Sequence, residues 1–164
     1  MDEALTPRPV RESCVTTTEL VLPSHTNQLG TIFGGQLMAW IDITASIAAA
    51  RHARGVCVTA SIDALHFVAP VRIGQHVRIQ CAVNATGRTS MEIGARLDTE
   101  DVVNDTRTHV ATAYLTFVAI DEHGHPRPVA PVVPETPDEL RRFHAASLRR
   151  ASRLELKDKL SKKG

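Results

Sequence analysis

The chain has 164 residues, 43% of them apolar and 23% charged, with a formal net charge of +1. That composition belongs to an ordinary globular protein and excludes collagen-like repetition and wholesale disorder. Cys14, Cys57 and Cys81 are odd in number and lack any CxxC spacing, which argues against a disulfide framework and a zinc knot.

The opening MDEALTPRPVRESC carries acidic residues and prolines where a signal peptide needs an apolar run, so residence in the cytoplasm is expected. Residues 15–22, VTTTELVL, form the first strand candidate. A polar loop, SHTNQLGTIFGG, leads into residues 34–53, GGQLMAWIDITASIAAARHA, the one long early helix. Leu37, Ile41, Ala45 and Ala48 make its stripe, and Met38, Trp40 and Ala49 carry apolar character further around it, which predicts a buried helix. This stretch is interrupted by Asp42 and falls well short of the ~20 apolar residues of a membrane span, so no membrane partner is expected.

Residues 56–67, VCVTASIDALHF, read as a second strand. Val77, Ile79, Cys81 and Val83 alternate with polar or small residues, as do Met91, Ile93, Ala95 and Leu97. Each is the period-2 pattern of a strand with one buried face, and the intervening NATGR predicts an antiparallel hairpin. Residues 109–120, HVATAYLTFVAI, are apolar or small on both alternations, as in a central strand covered on both sides. One long helix against five antiparallel strands is an α+β arrangement whose open edge and face a second copy of the chain would close.

After Asp121 the run EHGHPRPVAPVVPETP holds five prolines and reads as an extended connector, dividing the chain into a domain over 1–121, a connector over 122–136 and a basic helix over 137–164. Thr136, Pro137 and Glu139 supply the N-cap, first-turn proline and capping-box acid of that helix. Its leucines keep no clean stripe, so loose packing against another subunit is expected. Nine of the nineteen Lys and Arg lie in 138–164 beside only four acidic residues. With one Trp, one Tyr and four Phe in the whole chain there is no base-stacking platform, and no nucleic-acid partner is expected.

Asp42 is the strongest chemical anomaly, a carboxylate in an apolar helix with Met38, Ala39, Ala45 and Ser46 at helical-neighbour spacing. It is a candidate general base or nucleophile, or a residue that faces solvent or pairs elsewhere. Gly34 and Gly35 open the helix, whose first amides are free donors suited to a carbonyl oxygen turning anionic; they also serve as plain turn formers. Asn27 could orient water or a carbonyl, or simply hold a turn. Eight residues separate Gly34 from Asp42, about 12 Å along a helix, too far for one reacting group, so a catalytic site using both ends draws on two chains. None of the eight histidines shows a metal-ligand spacing, and no metal is expected. There is no GxSxG, P-loop or GxGxxG motif.

The ordered set NQLGTIFGGQLMAWIDITASIAAARHA, VTASIDALHF, GRTSMEI and AYLTFVAID resembles the hotdog-fold acyl-CoA thioesterases, in particular the cytosolic acyl-CoA hydrolase and acetyl-CoA hydrolase group. The resemblance implies a five-stranded curved antiparallel sheet wrapped around a long central helix, plus a C-terminal helix. It implies hydrolysis of fatty acyl-CoA to free acid and CoA, with Asp42 as base or nucleophile, Asn27 supplied by the partner subunit, and Gly34 and Gly35 polarising the thioester oxygen. Contacts to CoA fall by the same resemblance on Ala60, Ser61 and Ile62, on Arg88, Thr89 and Ser90, and on Arg149 or Arg150. No cofactor is implied beyond CoA as substrate moiety and product. A homodimer is the implied active unit and a trimer of dimers the implied assembly. A non-catalytic acyl-CoA-binding or sensing module is the alternative, and a hotdog hydratase acting on 2-enoyl thioesters a further one.

Overall fold

The computed structural model describes residues 5–161. In chain order the elements are β1 (Arg8–Pro9), β2 (Val15–Leu20), α1 (Gly34–Ala53), β3 (Cys57–Ile62), β4 (His76–Thr86), β5 (Ser90–Asp101), β6 (Thr106–Ala119), β7 (Val132–Val133) and α2 (Pro137–Ser161). Five strands form one curved antiparallel sheet in the order β2-β4-β5-β6-β3, while β1 and β7 make a separate two-residue parallel pair. The chain is thus α+β, a sheet wrapped around α1 with α2 on its outer side.

The alternations read from the sequence set which face is inside. Val77, Ile79, Cys81 and Val83 on β4 and Met91, Ile93, Ala95 and Leu97 on β5 all lie in one buried cluster with Leu37, Ile41, Ala45 and Ala48 of α1. β4 and β5 pair as a hairpin across Gly87–Thr89. One irregularity interrupts them between Val83 and Ala85, leaving Asn84 as the extra residue of a bulge,. Asn84 lies on Gly94, where an added Cβ would stand 2.6 Å from its Nδ2. Gly94 is therefore a matter of space rather than of backbone conformation.

Three expectations need correction. The helix is not buried all round: Met38, Ile43 and Ile47 on α1 are 40%, 59% and 38% exposed, because the sheet covers only one side of it. The strand expected over 56–67 is shorter, Cys57–Ile62; beyond it the Asp63 amide still reaches the Tyr114 carbonyl and the Val68 amide the Val110 carbonyl, both at 2.9 Å, but the pairing is no longer continuous. β6 is interior as expected, flanked by β5 and β3. Finally, α2 does not await another subunit to be held. Its first half docks on its own sheet, with Ala146 buried and Phe143 packed against the core, although Leu148, Leu154, Leu156 and Leu160 stay exposed.

The start of α2 is built as its sequence predicts. The Glu139 amide donates to Thr136 Oγ1 at 3.2 Å, and the Glu139 carboxylate accepts from the Thr136 amide at 3.1 Å, satisfying free donors at both positions. The proline-rich connector stays out of the main sheet but is not idle, since Val129, Ala130 and Val132 are buried. It is tied to the end of α1 by His52, whose Nε2 donates to the Ala130 carbonyl at 2.8 Å. Among the described residues, no helix is long and apolar enough to cross a membrane.

Candidate functional site

Asp42 lies on the side of α1 that the sheet leaves uncovered, half-buried, between the exposed side chains of Met38 and Ile43. Thr59 of β3 donates from Oγ1 to Asp42 Oδ1 at 2.7 Å. This bond holds one carboxylate oxygen, and among the described residues no hydrogen bond engages the other. Thr59 was not singled out from the sequence. An exposed Thr in a strand is ordinary by pattern, and only the fold brings residues 17 positions apart into contact. β3 is an edge strand with its side chains from Val58 to Ile62 exposed, so Ala60, Ser61 and Ile62 are all open to a ligand or a second chain.

The loop before α1 is wired to itself. Asn27 Oδ1 accepts from the Leu29 amide at 2.9 Å and the Thr31 amide at 3.3 Å, and Asn27 Nδ2 donates to Thr31 Oγ1 at 2.9 Å. Gly30 follows with a φ of 70°, a left-handed conformation that glycine adopts without strain. Phe33 N to His25 O at 3.0 Å closes the loop on itself, and Ile32 N to Val71 O at 2.8 Å pins it to the chain outside. The His25 ring also stands edge-on to Trp40, 5.1 Å between centroids.

At the helix start the Phe33 carbonyl takes the amides of Gln36 and Leu37 at 3.0 and 3.3 Å. Among the described residues nothing accepts from the amides of Gly34 and Gly35. Two donors with partial positive charge are thus free beside Phe67, whose ring would meet a Cβ at Gly34 at 3.3 Å,. No hydrogen bond joins Asn27 to Asp42 among the described residues. Within one chain the structure brings together Asp42 and Thr59, and separately Asn27 and the helix start.

The predicted CoA contacts fall in two places. Arg88 is exposed at the β4–β5 turn, and Thr89 and Ser90 are half-buried beside it. The two candidate arginines of α2 differ. Arg149 is committed to buried Glu92, donating at 2.7 and 3.2 Å, and lies 3.5 Å from the centroid of the Tyr114 ring. Arg150 instead donates from Nη1 to Ser90 Oγ at 3.2 Å, which makes it the one at the hairpin. A cavity of about 320 Å³ lies on the outer face of the sheet, lined by residues including Gln80, Asn84, Arg96 and Tyr114, and does not include Asp42. The thiols are poor nucleophiles: burial pushes Cys57 up and Cys81 up to about 12, which keeps both in the unreactive form.

Residues 29–104 match the Thioesterase superfamily. The chain is 42% identical over 142 residues to the uncharacterized acyl-CoA thioester hydrolase YkhA of Bacillus subtilis, covering 87% of this chain and 82% of that one. It is 40% identical over 126 residues to the cytosolic acyl coenzyme A thioester hydrolase of Mus musculus, covering 76% of this chain but only 33% of that longer protein. Among solved structures, an apo-hexameric acyl-CoA thioesterase superposes with a TM-score of 0.89 at 40% identity, covering 92% and 97% of the two chains. An acyl-CoA hydrolase from Staphylococcus aureus, in complex with butyryl coenzyme A, coenzyme A and coenzyme A disulfide, gives 0.85 at 36% identity, covering 94% and 96%. Further structures of that enzyme carry alanine in place of an aspartate, an asparagine or a threonine. The chain belongs to the thioesterase superfamily, among the hotdog-fold enzymes named as acyl-CoA thioester hydrolases.

Proposed function

We propose that the protein hydrolyses fatty acyl-CoA to the free acid and CoA, in a site composed from two copies of the chain. The observation that carries this reading is Asp42, held at 2.7 Å by Thr59 on an uncovered apolar face, in a chain of this family. Asp42 acts as general base or as nucleophile. As base, its free oxygen takes a proton from water, whose oxygen attacks the thioester carbonyl. The carbonyl oxygen turns anionic against the unpaired amides of Gly34 and Gly35, a preorganised arrangement that needs no solvent reorganisation during reaction. The C–S bond then breaks and the thiolate of CoA leaves, to be protonated from solvent. The partner subunit's Asn27 completes the site by orienting the water or the carbonyl.

Two features support a second copy. β3 is an exposed edge strand, and the apolar side chains of Met38, Ile43 and Ile47 line the open side of α1; a homodimer would cover both. The spacing of Gly34 from Asp42 along α1 asks for the same thing. A hexamer built as a trimer of dimers is the assembly we propose, in line with the hexameric relative, and the cytosol its location, in line with the name of the mouse relative. CoA is held by β3 at Ala60, Ser61 and Ile62 and by the hairpin at Arg88, Thr89 and Ser90, with Arg150 above Ser90. A guanidinium there suits a phosphate, which it binds in a fork.

The test is release of CoA, followed with a thiol reagent, across saturated acyl-CoAs from acetyl to palmitoyl. Thiol release above the uncatalysed rate is expected. Binding of acyl-CoA without release would leave the sensing module as the correct reading.

A further inference from the structure

One buried carboxylate has no part in the chemistry above. Glu92 stands on β5, faces the outer side of the sheet and is 6% exposed. A carboxylate taken out of water needs partners, and Glu92 has three. Arg149 donates to it from Nη2 at 2.7 Å and from Nε at 3.2 Å, and Arg153 donates from Nη2 to its other oxygen at 3.2 Å. Asn84, the extra residue of the β4 bulge, donates from Nδ2 at 3.2 Å. Both arginines come from α2. Ala146 is the one buried residue of that helix, so apolar contact alone holds its rotation weakly and the ion cluster sets it.

The cluster has two outlets toward the CoA contacts. Arg150, adjacent to Arg149, donates to Ser90 Oγ at 3.2 Å and lies so close to Gly87 that a side chain there would run into its guanidinium. Arg153 uses Nη1 to reach Asp63 at 2.6 Å, and Asp63 is the first residue after β3. One carboxylate therefore stands where α2 meets both the hairpin of Arg88 and the end of the strand that carries Ser61.

We propose that Glu92 is a positioning residue for the phosphorylated end of the substrate: by pinning Arg149 and Arg153 it holds Arg150 against Ser90, on the hairpin that carries Arg88, while touching no part of the ligand. The inference rests on the acyl-CoA reading and deepens it. Without the pin, Arg150 must be ordered by the ligand itself, and affinity falls for a substrate that presents a phosphate. A substrate without one should not sense the change.

The experiment compares butyryl-CoA with S-butyryl-N-acetylcysteamine, which keeps the thioester and first amide but has no nucleotide, on wild type, Glu92→Gln and Arg153→Gln. For Glu92→Gln, KM for butyryl-CoA should rise about tenfold with kcat within about twofold, and kcat/KM for the truncated thioester should stay within about twofold. Arg153→Gln keeps the Arg149 pair and should show the same selective rise at about threefold, which preserves the test if Glu92→Gln does not fold. Equal losses on both substrates, a fall in kcat alone, or unchanged kinetics would overturn the proposal. A wild type that hydrolyses neither thioester would instead remove the thioesterase reading, and this inference with it.

Discussion

Thr59 Oγ1 and Asp42 Oδ1 stand 2.7 Å apart, joining the edge strand β3 to the middle of α1 through one charge-assisted hydrogen bond. The bond occupies Oδ1 and, on the proposed mechanism, leaves Oδ2 as the oxygen for proton transfer. Thr59→Val keeps shape and removes the donor. A fall in kcat of about 10- to 100-fold is expected, with the fold unchanged by circular dichroism and partial recovery in Thr59→Ser.

Asp42→Asn removes the carboxylate while preserving shape, and kcat should fall by about 10²- to 10⁴-fold. Mixing it with Asn27→Ala tests whether sites are shared. Subunits exchanged between the two inactive proteins should recover part of the wild-type rate, since some mixed sites then hold one intact Asp42 and one intact Asn27. Sites confined to single chains would recover nothing. A single turnover in ¹⁸O-labelled water separates the two roles of Asp42: general-base attack by water puts the label in the released acid at once, whereas a carboxylate nucleophile whose anhydride is opened at the Asp42 carbonyl puts the label in the Asp42 side chain and releases unlabelled acid first.

His52 is wholly buried; its Nε2 donates to the Ala130 carbonyl at 2.8 Å, and its Nδ1 has no partner. Burial, opposed by the bond to Ala130 and aided by the charge of Arg8, pulls its pKa below the ordinary histidine value. The folded protein therefore keeps His52 neutral at a pH where the unfolded chain takes up a proton. Its contribution to stability is present above about pH 6.5 and is lost as pH falls. His52→Gln keeps a donor for Ala130 and removes this titration, so urea midpoints measured from pH 7.5 to 5 should fall less steeply in the variant than in wild type.

Gly94→Ala places a Cβ 2.6 Å from Asn84 Nδ2. Displacing that amide also breaks its bond to Glu92, and a loss of about 1–3 kcal/mol in stability is expected. Asn84→Ala in the same chain should make the second substitution nearly harmless, a coupling that a double-mutant cycle on urea midpoints measures directly.

The parts of the fold that local pattern controls were legible in the sequence. Alternation at Val77 to Val83 and Met91 to Leu97 reports the inner face of a strand, and Thr136, Pro137 and Glu139 report a helix start, because each depends on neighbours a few residues away. The face of α1 that stays open was not legible, since apolar residues on all sides of a helix do not say how much of it one sheet can cover. Asp42 stood out as a charge in an apolar run, but Thr59 did not, because its role exists only when β3 lies beside α1. Glu92 escaped for the same reason: its partners are 57 and 61 residues away, and neither charge is unusual where it stands. The early end of β3 was not legible either, since apolar residues run on to Phe67 while regular pairing with β6 stops at Ile62.

The Asn27 loop completes its own wiring between residues 27 and 31, so its shape within one chain needs no contact from another. If the site is shared between two chains as proposed, its assembly is the meeting of finished surfaces rather than folding upon contact. Enzyme silenced by dilution should regain its rate on reconcentration with second-order kinetics and no slow conformational lag.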